Sequence, residues 1–305
     1  MLFYRFIPVL MFTMVFWLLA NTVHADFQAG QKAYDRGDYA TALKEWQTLA
    51  EQGDVRAQYR LGAMYHDGQG VSLDYAEAMR WYRLAADKGH PDAQFVLGIM
   101  YDIGQGVPRN HVEAVRWYRL AAEQGEAAAQ YHLGSKYATG QGMPQDQAEA
   151  VRWYQLSAEQ GLPQAQFNLG FMYATGRGVP QDGAEAVRWY RLSADQGLPQ
   201  AQLNLGLMYA TGQGVPQDDV EAMRWYRLSG EQGFSWAQSK LGEMYFKGQG
   251  VPEDYIQAHM WASLAAAQHR KGAVELGDIV ANKMTLEQYV ESRRLTREWL
   301  AQGHQ

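Results

Sequence analysis

The sequence repeats itself with a period of 36 residues, and this repetition limits the possible folds more than any other feature. An exact period of this length predicts a stack of similar units, each of which buries an apolar face against its neighbours. No insertion interrupts the spacing between Gly62 and Trp261. The residues that mark the period are Trp81, Trp117, Trp153, Trp189, Trp225 and Trp261, together with Gly62, Gly98, Gly134, Gly170, Gly206 and Gly242.

Each copy of the repeat contains two segments with helical patterning. The first begins at an Ala-Gln pair, as at Ala165, and the second follows a Gly-x-Gly turn, as at Asp182. Glycine stands at the end of both segments, where a helix commonly stops. No stretch alternates with the period of a strand, so we predict an all-α fold. The residues predicted to cap the second helices are Asp74, Asn110, Asp146, Asp182, Asp218 and Asp254.

The pattern A-x-x-x-L-G-x-x-Y-x-x-G-x-G-V-x-x-D-x-x-x-A-x-x-W-Y resembles the Sel1-like repeats, which are relatives of the tetratricopeptide repeat. The resemblance implies a right-handed α-solenoid superhelix of antiparallel helix pairs, with a family role of holding other proteins together. We assign residues 55–270 to six Sel1-like repeats and residues 26–54 to an N-terminal tetratricopeptide-like helix pair.

Residues 271–305 are predicted to form C-terminal capping helices. Thr285 and Gln288 have the spacing of a capping box. The helix that they open offers Leu286, Val290 and Trp299, among others, for docking against the last repeat.

The N-terminal segment, residues 1–25, has the layout of a secretory signal peptide. Arg5 is its one charge, an apolar run of moderate length follows, and small residues stand near Ala25. We therefore expect cleavage after Ala25, a periplasmic or secreted chain, and no stable membrane insertion after cleavage. An uncleaved membrane anchor is the alternative, although the apolar run is shorter than the roughly 20 residues that a span requires.

Composition and motifs exclude several classes of function. The chain has no cysteine and a net charge of −6 without a basic run, so neither thiolate chemistry nor binding to nucleic acid is indicated. The Gly-x-Gly turn follows a helix rather than a strand, which argues against a phosphate-binding loop. Histidines are scattered, with no pair at metal-ligand spacing, and no serine elbow occurs. We predict no catalytic residue, no metal site and no cofactor.

Comparison of the six copies separates a constant arc of the first helix from a changing one. At about 100° per residue, near-constant positions such as Leu61 and Tyr65 fall on one side of the helix. Changing positions such as Tyr59 fall on the other side. On the second helix, Trp81 and Tyr82 are predicted to lie in the core, and arginines such as Arg83 on the outer, solvated surface.

The first helix lines the concave groove of related superhelices, so the resemblance places the changing arc against a partner. Two apolar patches, Val96-Ile99-Ile103 and Phe171-Leu207, suit an extended peptide or a partner helix. Drift at positions under no selection is the alternative explanation of the variation. The predicted partner-binding groove, called here the first-helix stripe, comprises Arg60, Val96, Ile99, Ile103, His132, Asn168, Phe171, Asn204, Leu207 and Lys240.

The leading functional hypothesis is an exported, non-catalytic scaffold of the bacterial cell envelope that binds a protein or peptide of unknown identity in this groove. One alternative is a secreted enzyme that acts on the cell wall or on a β-lactam, although the chain lacks the expected Ser-x-x-Lys motif with its companions. Another is a periplasmic regulator of a membrane sensor, which would use the same groove.

Overall fold

The computed structural model describes residues 27–303, and all regular structure within that range is helical. The predicted signal peptide, residues 1–25, lies outside the described residues. The chain divides into two compact units, of which unit 1 ends at Gln145 and unit 2 begins at Asp146.

Unit 1 contains α1 (27–35), α2 (Tyr39–Glu51), α3 (Val55–Asp67), α4 (Tyr75–Asp87), α5 (Pro91–Ile103), α6 (His111–Glu123) and α7 (Ala127–Thr139). Unit 2 contains α8 (Gln147–Glu159), α9 (Pro163–Thr175), α10 (Gly183–Asp195), α11 (Pro199–Thr211), α12 (Asp219–Glu231), α13 (Ser235–Lys247), α14 (Tyr255–Ala267), α15 (Ala273–Ala281) and α16 (Leu286–Ala301). Within each unit, consecutive helices from α2 to α15 pack as antiparallel neighbours, and α16 packs against α14. The fold is all-α, an α-solenoid of helix pairs, as the sequence predicted.

The second helices begin where the sequence predicted. The Asp182 carboxylate accepts hydrogen bonds from the backbone N–H groups of Ala184 and Glu185, and the other predicted cap residues also accept from the first turn of their helices. The prediction for the first helices was wrong by two residues, since α9 begins at Pro163 rather than at Ala165. Proline suits the first turn of a helix because the N–H that it lacks has no partner there.

The Ala-Gln pair has a packing role instead of marking the helix start. The Gln202 side chain is buried, and its amide donates to the carbonyl oxygen of Ala194, at the end of the preceding second helix. The corresponding glutamine makes this bond in all six repeats. A carbonyl at a helix end has no partner within its own helix, so each glutamine stabilises the junction between one pair and the next.

The predicted core residues are buried and explain the constant arc. A Cβ added at Gly206 would lie 2.7 Å from the ring of Tyr226, so glycine permits the two helices of the pair to approach closely. Trp225 packs with residues of the two preceding helices, α10 and α11, and Trp81, Trp117 and Trp261 pack in the same way in their clusters. Since every pair meets the same neighbour, these positions hardly change.

The C-terminal helices dock by a smaller surface than the sequence predicted. The capping box of Thr285 and Gln288 is present, and Leu295 and Trp299 pack against the cluster of α12 to α14. Leu286 and Val290, which were expected to dock, are 79% and 57% exposed. They fall on the face of α16 that is turned away from this cluster.

A buried histidine joins α14 to α16. His259 is 6% exposed, its Nδ1 lies 2.9 Å from the Ser292 hydroxyl, and its ring meets Tyr289 edge-on at 5.1 Å. Burial lowers the pKa of His259, and the nearby Arg293 lowers it further, against a smaller opposing effect of Asp278. Folding therefore favours the neutral ring.

We predict that the free energy of unfolding of unit 2 falls as the pH is lowered below about 6.5, the ordinary histidine value. The unfolded chain binds a proton at His259 more readily than the folded chain does. The contribution of the neutral His259 ring to stability is therefore complete above pH 6.5 and is lost as the pH falls toward the lower pKa of the folded state. His259→Met introduces the residue found at the equivalent position of the preceding repeat, Met223. This variant should reduce the difference in the free energy of unfolding between pH 7 and pH 5, as measured by urea denaturation. The exposed His269→Asn is the control, and an unchanged slope in His259→Met would contradict the assignment.

Candidate partner-binding surface

In unit 1 the apolar part of the first-helix stripe lies along one face of α5. Val96 and Ile99 are half-buried, and Val96 packs against the core cluster formed with α4 and α6. Ile103, one turn further on, is 62% exposed. The free apolar surface of the stripe in this unit is therefore concentrated at the C-terminal end of α5.

In unit 2 the apolar residues of the stripe stand on two neighbouring first helices. Phe171 on α9 is 37% exposed, and Leu207 on α11 is 44% exposed. The Arg177 guanidinium lies 5.3 Å from the centre of the Phe171 ring, which leaves a cation beside the apolar surface. Side chains of this kind at equivalent positions of adjacent repeats form a surface that a partner can cover.

The polar members of the stripe already have contacts within the fold. His132 stacks on Tyr118 with ring centres 5.1 Å apart, and burial lowers the pKa of His132. In unit 2, Asn204 hydrogen-bonds the Tyr190 hydroxyl, while burial raises the pKa of that phenol to about 12. Lys240 forms an ion pair with Glu243 at 3.0 Å. These three side chains are therefore held in place by contacts within the fold, and part of each remains accessible to a ligand.

The remaining two polar members are half-buried. Arg60 places its guanidinium 5.8 Å from the centre of the Trp46 ring in unit 1. Asn168 in unit 2 is half-buried on α9, one turn before Phe171. All ten residues of the stripe thus lie on first helices with part of their surface accessible.

One sequence prediction about surface residues was wrong, and another was incomplete. Tyr59 belongs to the changing arc, but it is half-buried against the core cluster of α4 to α6 and stacks on His90 with ring centres 4.7 Å apart. Arg83 was expected on the solvated surface, where its side chain is 40% exposed, but it also donates to the Tyr101 hydroxyl of the next pair at 3.2 Å. Both contacts are made with the following repeat, which a helical wheel of one helix does not include.

Sequence reasoning missed a buried polar cluster in unit 1. The Asp102 carboxylate accepts from Lys136 Nζ at 2.5 Å and lies 2.6 Å from His111 Nδ1. Burial acts to raise the pKa of Asp102, but the hydrogen bonds from Lys136 and His111 hold it below its usual value. Lys136 is only 5% exposed. The available signal was the repeat itself, because the other five copies have methionine at this position.

An open pocket of about 190 Å³ borders the stripe in unit 2, between α11 and α13. Leu207 and Lys240 of the stripe line it, together with Glu243, Tyr226 and Asp219. Among residues 27–303, no group of three or more His, Asp or Glu side chains is placed to hold a metal ion. In the same range no helix combines the length and apolar character needed to cross a membrane.

The paired helices, the buried junctions and the exposed first-helix positions define a helical-repeat protein of the α-solenoid class. A family model described as Sel1 repeat matches residues 55–90, 91–126, 127–162, 163–198, 199–234 and 237–269. The chain belongs to the Sel1 repeat family. Members of this family are protein-interaction scaffolds, and their fold is typically non-catalytic.

Two solved structures show the same architecture. A Sel1 repeat protein from Oxalobacter formigenes is 35% identical with a TM-score of 0.70, over 79% of this chain and 96% of that one. A protective antigen present in uropathogenic Escherichia coli strains, which displays a Sel1-like repeat fold, is 27% identical with a TM-score of 0.51, over 92% of this chain and 85% of that one. No curated protein matches the chain.

Proposed function

We propose that the protein is an exported, non-catalytic scaffold of the bacterial cell envelope, whose first-helix stripe binds a protein or peptide partner. The observation that carries the proposal is the exposure of Phe171 and Leu207 at equivalent positions of α9 and α11. Isolated exposed apolar residues are common, but a row at repeat spacing on the variable face is characteristic of a contact surface. Export is supported by the layout of residues 1–25.

The size of the expected effect follows from the area that a partner would cover. Burying a phenylalanine or leucine side chain contributes about 1.5–3 kcal/mol, so a charge at either position should weaken binding by more than about tenfold. The partner contacts are predicted to be apolar at these two positions. Neighbouring threonines are less available, since the Thr175 and Thr211 hydroxyls donate to the carbonyl oxygens of Phe171 and Leu207.

The test compares Phe171→Asp and Leu207→Asp with Leu192→Asp, which changes a leucine of similar exposure (40%) on a second helix. Proteins cross-linked to the chain in the intact envelope are quantified by mass spectrometry, and circular dichroism verifies the fold of each variant. We expect one set of partners to be lost from both stripe variants and kept by Leu192→Asp.

Retention of every partner by folded stripe variants would contradict the assignment of the surface. Loss of the same partners from Leu192→Asp would contradict it as well, because the second helices would then carry the contact. Recovery of the chain in the cytoplasm with residues 1–25 still attached would contradict the envelope part of the proposal.

A further inference from the structure

The pocket between α11 and α13 in unit 2 is lined at two repeat positions that carry different residues in unit 1. Ala210 and Met244 occupy the repeat positions that Asp102 and Lys136 occupy between α5 and α7. In unit 1 these two side chains meet in an ion pair. Alanine and methionine have no such contact, and the space of about 190 Å³ between α11 and α13 is open.

A buried phenol lines this pocket without a partner. Tyr226 is 2% exposed, and no described residue hydrogen-bonds its hydroxyl. Two of its counterparts differ, since Tyr118 bonds Asp102 and Tyr190 bonds Asn204. A hydroxyl that faces an open pocket without a protein partner favours a ligand with a hydrogen-bonding group.

The charges around the pocket favour a cation. Lys240 is neutralised by Glu243 at 3.0 Å. Asp219, the first residue of α12, is half-buried and forms no ion pair with any residue of the described range. Both carboxylates act on the Tyr226 phenol, whose pKa is raised first by burial and then by Glu243 and Asp219. The pocket therefore has a carboxylate that no cationic side chain of the described residues pairs with.

We propose that this pocket receives an arginine side chain of the bound partner. The methylene stem would lie along Leu207 and Met244, and the guanidinium would donate to the Asp219 carboxylate and the Tyr226 oxygen. Arginine offers five donors in a fixed plane, which suits two acceptors in one pocket better than the single ammonium of lysine. A volume of about 190 Å³ is also below the roughly 300–1,000 Å³ of small-molecule sites, so it fits one side chain. The inference rests on the proposed function, because it assigns a contact to the same stripe.

Small peptides test the pocket without requiring the natural partner. The probes are acetyl-Gly-Gly-Arg-Gly-Gly-amide and the same peptide with citrulline, which keeps the shape of arginine and removes its charge. The purified protein, labelled at methionine methyl groups, is titrated by NMR. The Met244 methyl reports on the pocket and the Met64 methyl in unit 1 is the internal control. We expect a saturable shift of Met244 with the arginine peptide, and binding at least about tenfold weaker with citrulline.

Three variants test the assigned contacts. Asp219→Asn should reduce binding of the arginine peptide to the citrulline level, whereas Asp195→Asn, which removes an exposed charge on α10, should leave it unchanged. Lys240→Met should strengthen binding because it removes the cation from the pocket and frees Glu243. Equal binding of citrulline and arginine, or an unaffected Asp219→Asn, would overturn the proposal. A glutamate peptide that binds wild type and loses binding in Lys240→Met would reassign the pocket to an anion.

The two proposals can fail separately. If the arginine peptide does not bind while Leu207→Asp still releases envelope partners, the pocket assignment is wrong and the stripe stands. If the arginine peptide binds through Asp219 while Leu207→Asp and Phe171→Asp keep every partner, the pocket stands and the stripe is wrong.

Discussion

Asp102→Ala is expected to lower the free energy of unfolding of unit 1 by about 3–5 kcal/mol, because it leaves a buried ammonium group without its counter-charge. Lys136 is 5% exposed, and its Nζ lies 2.5 Å from the Asp102 carboxylate. One further acceptor remains, the Gln141 side chain at 3.1 Å, and a neutral amide does not replace a carboxylate. Urea denaturation followed by circular dichroism measures the loss.

The double variant Asp102→Ala/Lys136→Met should recover at least the stability of the wild type. It recreates the pair that the chain uses elsewhere, Ala210 with Met244, at the same repeat positions. Replacing a buried ion pair by apolar residues of suitable shape is often neutral or stabilising by about 1–4 kcal/mol, whereas breaking it is strongly destabilising. A double variant as unstable as Asp102→Ala would mean that the aspartate acts through another contact.

Glu113→Ala is the control for removing a paired carboxylate. Glu113 forms an ion pair with Arg116 at 3.3 Å on the surface of α6. A pair at this spacing on an exposed helix face contributes only about 0.2–0.5 kcal/mol. A loss comparable to that of Asp102→Ala would show that the measurement does not distinguish buried from exposed pairs.

The architecture could be predicted from the sequence because each helix signal and each core position occurs in six copies of the repeat. The period set the unit, the recurring Asp or Asn marked the starts of the second helices, and the constant arc identified the core. The boundary that failed, at Pro163, failed for a local reason. Leu162 occupies the cap position without a side-chain hydrogen bond, so no polar residue marks the start.

The binding surface could be predicted only in part, since it depends on which side chains of neighbouring repeats meet. A helical wheel places Tyr59 and Arg60 on one arc, but Tyr59 packs against the next pair and only part of the arc is free. The contact between Asp102 and Lys136 joins residues 34 positions apart on different first helices. The pocket beside Leu207 has Ala210 where unit 1 has Asp102, and no motif marks the missing side-chain volume.

The second prediction with a large expected effect concerns the loop that follows α11. Gly214→Ala should lower the free energy of unfolding of unit 2 by about 3–5 kcal/mol, the combined cost of left-handed strain and a displaced loop. Gly214 has a φ of +73°, and an added Cβ would lie 2.1 Å from the backbone of Gly183 at the start of α10. The Gly183 backbone cannot relieve this contact by a change of rotamer, as a side chain could. The loop that contains Gly214 would therefore have to move away from α10.

Gly197→Ala is the matched control, because Gly197 has a φ of +89° but nothing lies within 4 Å of an added Cβ. Gly197→Ala should therefore lower the free energy of unfolding only by the cost of the left-handed backbone conformation, about 1–2 kcal/mol. The difference between the two variants in urea denaturation isolates the contact between the loop and the preceding repeat. Equal losses would mean that the second glycine of the turn is required only for its backbone conformation, and that the close contact with α10 contributes nothing to holding adjacent repeats together.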